Sequence, residues 1–252
     1  MIFALIRVLP LSLPVINFLL LKTLFYFPAG WFWFLIMLLA LNGMFFCLVH
    51  VKKKNKKIFL LAAHSSVFIL VGFVFTLTLS NPWFINSFLL VWSLVYLVYL
   101  ESAFHYFYET RKDIIFDLKN VVNYSGIIVF FLAAVALFNF YLFLGLSWWW
   151  ILPAVLILSL ILLLNRFIFS EFKDYWIHIA VICLIILEFL VVLLVLPFSL
   201  YILALLLVLA YYLLSSLAAL SLSGGLKARS VWLYSIFVLI SAVLVLGTSI
   251  WI

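Results

Sequence analysis

Charge is scarce in this chain, and acid is scarcest. Seven Asp and Glu stand against fourteen Lys and Arg in 252 residues, and charged residues make up only 8%. A soluble domain carries about a quarter, so a water-facing globular surface is excluded. Cysteine is nearly absent. Cys47 and Cys183 each sit inside an apolar run, where a thiol behaves as a small hydrophobe, and two such residues support neither a disulfide framework nor a metal site. Glycine is sparse, with eight residues. None builds a phosphate-binding loop ending in Lys-Ser or Lys-Thr, a Gly-x-Ser-x-Gly elbow or a twin-glycine dinucleotide turn, and His-Glu-x-x-His is missing too. Nucleotide hydrolysis and the common hydrolase routes therefore lack their parts. No lysine lies inside the later apolar runs, which excludes a retinal-type Schiff base.

What the chain has instead is hydrophobicity, 71% of residues. Apolar runs of about 20 residues recur along its length, enough to cross a bilayer core as helix. They show no strand-like alternation, so helices rather than a barrel follow. The expected fold is an all-α polytopic transmembrane helical bundle, a single integral membrane domain over residues 1–252 with no soluble domain.

Spans are predicted near Gly30–His50, Ile58–Ser80, Trp83–Tyr108, Val121–Leu144, Trp148–Phe169, Tyr175–Leu196, Phe198–Ser221 and Ser230–Ile252. The first segment, Met1–Leu21, reads as a ninth span kinked at Pro10 and Pro14. A re-entrant segment is the alternative, leaving eight spans. Arg7 alone, without a small-residue cleavage site, argues against a removable leader. Every second connection is basic: Lys52, Lys53, Lys54, Lys56 and Lys57, then Glu109–Asn120, Arg166–Asp174 and Lys227–Arg229. The positive-inside rule puts these in the cytoplasm, the N-terminus inside and the C-terminus outside. Trp31, Trp33, Trp83, Trp148, Trp149, Trp150 and Trp251 all fall at outer ends, where indole anchors among headgroups. The five lysines read as topology anchors touching anionic lipid rather than as a nuclear-localisation signal. The net charge of +7 is thus a matter of membrane placement, and no nucleic acid is expected.

A 115-residue shift lays Trp33 on Trp148, Pro82 on Pro197 and Lys112 on Lys227, hinting at a parallel repeat of 30–112 and 145–229. Chance alignment of similar apolar helices is the preferred explanation, since three matches are few. Asp113–Asn120 could form a short interfacial turn, and Ser215, Ala219 and Ser223 make a small-residue stripe suited to close helix packing.

Titratable groups concentrate between Tyr96 and Lys119. Glu101, His105 and Glu109 fall four residues apart, on one stripe of a helix. With His64 and His178 they gather near inner helix ends, and His50 lies there too. Helix-bundle metal sites repeat Glu-x-x-His, and that spacing is absent. Pairing of Glu101 with His105 and of His105 with Glu109 along one helix is the plainer reading. A haem held by His64 and His178 has nothing in the sequence to pair them, so no metal and no cofactor is expected. Glu188 stands alone in mid-span, where an acid costs about 2.5–3.5 kcal/mol on insertion scales. It is expected to face the bundle interior, either as a proton or cation relay or as a hydrogen-bonded neutral acid.

From Leu187 the chain reads LEFLVVLLVLPFSLYILALLLVLAYYLLSSLAALSLSG and then LKARSVWLYSIFVLI. The mid-span acid, Leu-Pro turn, Tyr-rich span and basic turn before the last helix resemble a group of uncharacterised polytopic membrane proteins of small-genome bacteria. The resemblance covers the last third and implies a bacterial inner-membrane setting, with no activity to carry over. The expected function is non-enzymatic: moving a small solute or ion, or serving in a membrane complex with other membrane proteins or further copies of itself. The alternative is an intramembrane enzyme using the His and Glu groups on a lipid-phase substrate.

Overall fold

The computed structural model describes residues 2–23, 26–27, 30–55, 57–108, 118–169 and 175–248. These residues form nine helices and no strand: α1 (Ile2–Thr23), α2 (Trp31–Lys53), α3 (Lys57–Thr76), α4 (Pro82–Tyr108), α5 (Leu118–Leu144), α6 (Trp148–Phe167), α7 (Tyr175–Val195), α8 (Leu200–Leu222) and α9 (Ala228–Gly247). Leu, Phe, Val and Ile dominate each, and a helix satisfies every backbone group within its own segment, as hydrocarbon demands. Eight of them, α2 to α9, are long and apolar enough to cross a membrane. The protein is a polytopic helical membrane protein. Exposed tryptophans open α2, α4 and α6, and Trp176 and Trp232 lie exposed in the first turns of α7 and α9, as interfacial anchors do.

Ends follow local chemistry. α2 stops where Lys54 turns left-handed (φ 47°) and its N–H meets the His50 carbonyl at 2.7 Å. α8 ends in a Schellman turn: Gly224 has φ 66°, its N–H bonds the Ser221 carbonyl, and the Gly225 N–H reaches back to Leu220. α3 ends at Thr76, earlier than hydropathy suggests: past it the Thr78 and Leu79 N–H groups bond the Phe75 and Thr76 carbonyls, three residues back rather than four. α1 runs through Pro10 and Pro14 without ending. It packs on α2, α3 and α4, although Pro10 and Pro14 each lack a backbone donor.

The chain divides into two compact units, Met1–Val129 and Phe130–Ile252. In the first, α1 packs on α4 and α2, α2 on α3, and α3 on α4, around Phe45, Leu61, Phe68, Leu89, Tyr99 and Leu100. In the second, α6, α7, α8 and α9 pack in sequence. Its core holds Val155, Leu162, Ile186, Leu190, Leu207 and Tyr211, and Tyr211 stacks on Phe130 at 4.4 Å. No described residue of α9 is buried.

Candidate functional site

In the first unit, the short connection between α2 and α3 marks one end, called the lysine end below. The α4 C-terminus lies there, since the Lys53 ammonium sits 5.1 Å over the Tyr108 ring. Glu101 is two turns inside that end. Its Oε2 accepts from Arg7 Nη1 of α1 at 2.8 Å and lies 3.4 Å from His105 Nε2. The pairing of Glu101 with His105 is the one expected along α4. Arg7 is the partner that spacing could not reveal, 94 residues away. The same guanidinium lies 4.9 Å over the Phe104 ring, which holds it flat against α4.

Deeper in, His64 is fully buried. Its ring stacks on Tyr99 at 5.1 Å, and Nε2 is 3.0 Å from Ser125 Oγ. Ser125 directs its single proton to the Val122 carbonyl. His64 Nε2 and Ser125 Oγ share one hydrogen bond, and Nδ1 is buried without a protein partner. Tyr99 in turn donates to the Leu61 carbonyl at 2.8 Å.

At mid-height Asn42 of α2 ties three helices. Its Oδ1 accepts from Ser65 at 2.7 Å and from Tyr96 at 3.0 Å, while Nδ2 donates to Ser66 at 3.1 Å. Beyond this node the interior becomes aromatic. Phe68 stacks on Trp92 at 3.8 Å and Phe88 on Trp92 at 5.5 Å. Gly72 lets the indole approach so closely that a Cβ there would collide with its Nε1. Past the aromatic layer, at the end opposite the lysines, a cavity of about 460 Å³ is lined by Lys22, Tyr26, Ser80, Pro82 and Asn86, with Leu79 and Ile85. A smaller, almost wholly apolar groove of about 220 Å³ runs between α1 and α4.

Several interior polar atoms of this unit keep hydrogen-bonding capacity that the protein does not use. They include both side-chain atoms of Asn17, Ser93 Oγ, Ser102 Oγ, His64 Nδ1, Glu101 Oε1 and Trp92 Nε1. Buried polar atoms in native structures nearly always find partners, so a group of this kind points to water or a ligand.

No family model, curated protein or solved structure matches this chain.

The remaining expected residues fall apart from this group. Glu109 lies outside the described residues, as do Lys56, Lys112, Asp113–Asp117, Glu171 and Asp174, and with them most of the expected interfacial turn. The Lys52 side chain is likewise outside, while Lys53 and Lys54 are exposed. His178 opens α7 in the second unit, and Glu188 lies ten residues further along the same helix, about 15 Å at helical rise. Glu188 does not face the packed side of α7; it is exposed. The apolar context of Glu188 demands a partner but does not say on which face of the helix it lies, and within the second unit it lies on the face away from the core. No three His, Cys, Asp or Glu among the described residues come together as metal ligands.

In the second unit, too, a polar contact escaped the sequence reading. Arg166, grouped there with the charged connection after α6, lies in the last turn of α6. Its guanidinium donates to Ser215 Oγ at 2.8 Å and Ser216 Oγ at 3.1 Å on α8. Ser215, the first residue of the small-residue stripe, is buried and receives a cation, while Ser223 at the far end of the stripe is exposed. The signal available was the Ser215-Ser216 pair in an otherwise apolar span.

Proposed function

We propose that this protein is a non-enzymatic membrane component that moves a small polar solute or ion through its first unit, in a bacterial inner membrane with the lysine end facing the cytoplasm. The observation that carries the reading is the set of buried polar atoms with unused hydrogen-bonding capacity inside that unit. A solute leaving water must exchange its hydration for protein partners, and Asn17, Ser93, Ser102, His64 and Glu101 offer both donors and acceptors. The arrangement along the helices supports the same reading. Polar groups reach from Glu101 near the lysine end to Asn42 at mid-height, and a cavity that Lys22, Ser80 and Asn86 help to line lies at the other end. The Phe68–Trp92 stack stands between them as a barrier whose rearrangement would connect the two sides. The basic connections and exposed tryptophans support the membrane setting.

A non-enzymatic role is favoured because catalysis needs an acid and a base facing one pocket. Glu101 Oε2 is held by Arg7 and His105, and neither cavity described above is lined by Glu or His.

Accessibility decides the matter. In a background lacking Cys47 and Cys183, Ser66→Cys should react with a small hydrophilic methanethiosulfonate from the lysine side, and Asn86→Cys from the opposite side. Failure of Ser66→Cys to react from either side would reduce the interior network to packing and end the transport reading.

A further inference from the structure

Glu188 poses a problem that the second unit does not answer. It sits in α7, the most apolar of the eight spanning helices, about 5 Å along the axis from the helix midpoint and about 10 Å from its nearer end. The packed face of α7 is Ile179, Ile182, Cys183, Ile186, Leu190 and Leu193. Glu188 is on the other side, exposed, with no hydrogen bond to any described residue. An acid at that depth is too far from the helix end for its short side chain to reach the headgroups, and intramembrane acids almost always pair.

The residues around it are ordered. Ile177, Val181, Leu184, Val191 and Val195 are all exposed, Ile177 at 68% and Leu184 at 59%. Together with Glu188 they fall at alternating steps of four and three. That 3.5-residue period is the seam of two helices packed at a shallow left-handed angle. Four of the five are β-branched, and in a helix such side chains already occupy essentially one rotamer, so packing them costs little entropy. A single polar residue in an apolar seam is the device that sets register and partner number.

We infer that α7 is a self-association helix: two copies of this chain pack along the Ile177–Val195 seam with their Glu188 carboxyls hydrogen-bonded to each other. A second copy is the occupant the observations favour. Copies inserted in the same direction are related by an axis along the membrane normal, which puts both carboxyls at the same depth whatever that depth is. Two carboxyls can hydrogen-bond to each other when at least one of them holds a proton, so such a pair needs no basic residue. A different protein would have to supply a matching group at that height. This inference is independent of the transport reading, which concerns the other unit.

The test uses the full chain in liposomes at low protein density, with Cys47→Ala and Cys183→Ala as background. Val181→Cys, Leu184→Cys and Val191→Cys should each form a disulfide-linked dimer on mild oxidation, while Val243→Cys on the equally exposed α9 should not. Without any introduced cysteine, the dimer fraction measured by single-molecule photobleaching should fall at least tenfold in Glu188→Leu. Glu188→Gln, whose amide also donates and accepts, should retain it. Monomers in the unsubstituted chain, or equal crosslinking at Leu184→Cys and Val243→Cys, would overturn the inference. So would seam cysteines that crosslink in native membranes only to a species other than twice the 29.2 kDa chain, which would assign the face to a different protein.

Discussion

Arg7 and Glu101 meet at 2.8 Å and join the first helix to the fourth near the lysine end. The carboxylate is mostly buried and the guanidinium nearly half exposed, at 18% and 44%, so water screens part of the attraction. A double-mutant cycle of Arg7→Gln and Glu101→Gln, read by thermal unfolding in detergent, should return a coupling of about 1 kcal/mol, the upper end for exposed pairs. A coupling near zero would mean that α1 is held by apolar packing alone.

Asn42 serves three partners on two neighbouring helices. Replacing it with Leu strands Ser65 and Tyr96 inside the unit, and each stranded group costs about 1–3 kcal/mol. Ser66→Ala removes only the single bond at the edge of the node and should cost about 1 kcal/mol or less. The expected order in unfolding temperature is therefore wild type, then Ser66→Ala, then Asn42→Leu well below. Equal losses would show that the amide is not the centre of the network.

Gly72 is the point where α3 and α4 come closest to sharing space. Gly72→Ala drives a methyl into the Trp92 indole, and overpacking of this kind costs about 1–3 kcal/mol. Combining it with Trp92→Leu, which clears the indole from that space, should recover part of the loss relative to Trp92→Leu alone. Additive losses in the double variant would mean that the indole already yields elsewhere.

Arg166 binds Ser215 and Ser216 through separate nitrogens. Lysine carries the charge but not the fork. Arg166→Lys should then lower stability nearly as much as Arg166→Met, by about 1.5–3 kcal/mol for hydrogen bonds to a charged group. Full stability in Arg166→Lys would show that charge alone suffices at the α6–α8 contact.

Threading is tested separately. Lys54→Cys and Lys227→Cys should be shielded from an impermeant thiol reagent in intact cells, and Ser147→Cys should be labelled. Labelling of Lys54→Cys from outside would reverse the assignment that basic connections impose.

Hydrophobic runs by themselves determined the helical membrane fold and the span positions, α6 from Trp148 and α7 from Tyr175 among them, because bilayer thickness sets a length that any apolar run of that size must satisfy as helix. Local spacing also determined the Glu101–His105 pair, since a four-residue step places both on one helical stripe. What a residue meets on another helix is a different kind of fact. Arg7 at Glu101, Ser125 at His64, and Arg166 at Ser215 join positions 94, 61 and 49 residues apart, and no periodicity encodes such distances. The same holds for orientation. Nearly every side chain of α7 is apolar, so hydropathy cannot distinguish its packed face from its outer one. Only the packing of α6 and α8 against Ile186 and Leu190 leaves Glu188 on the outside.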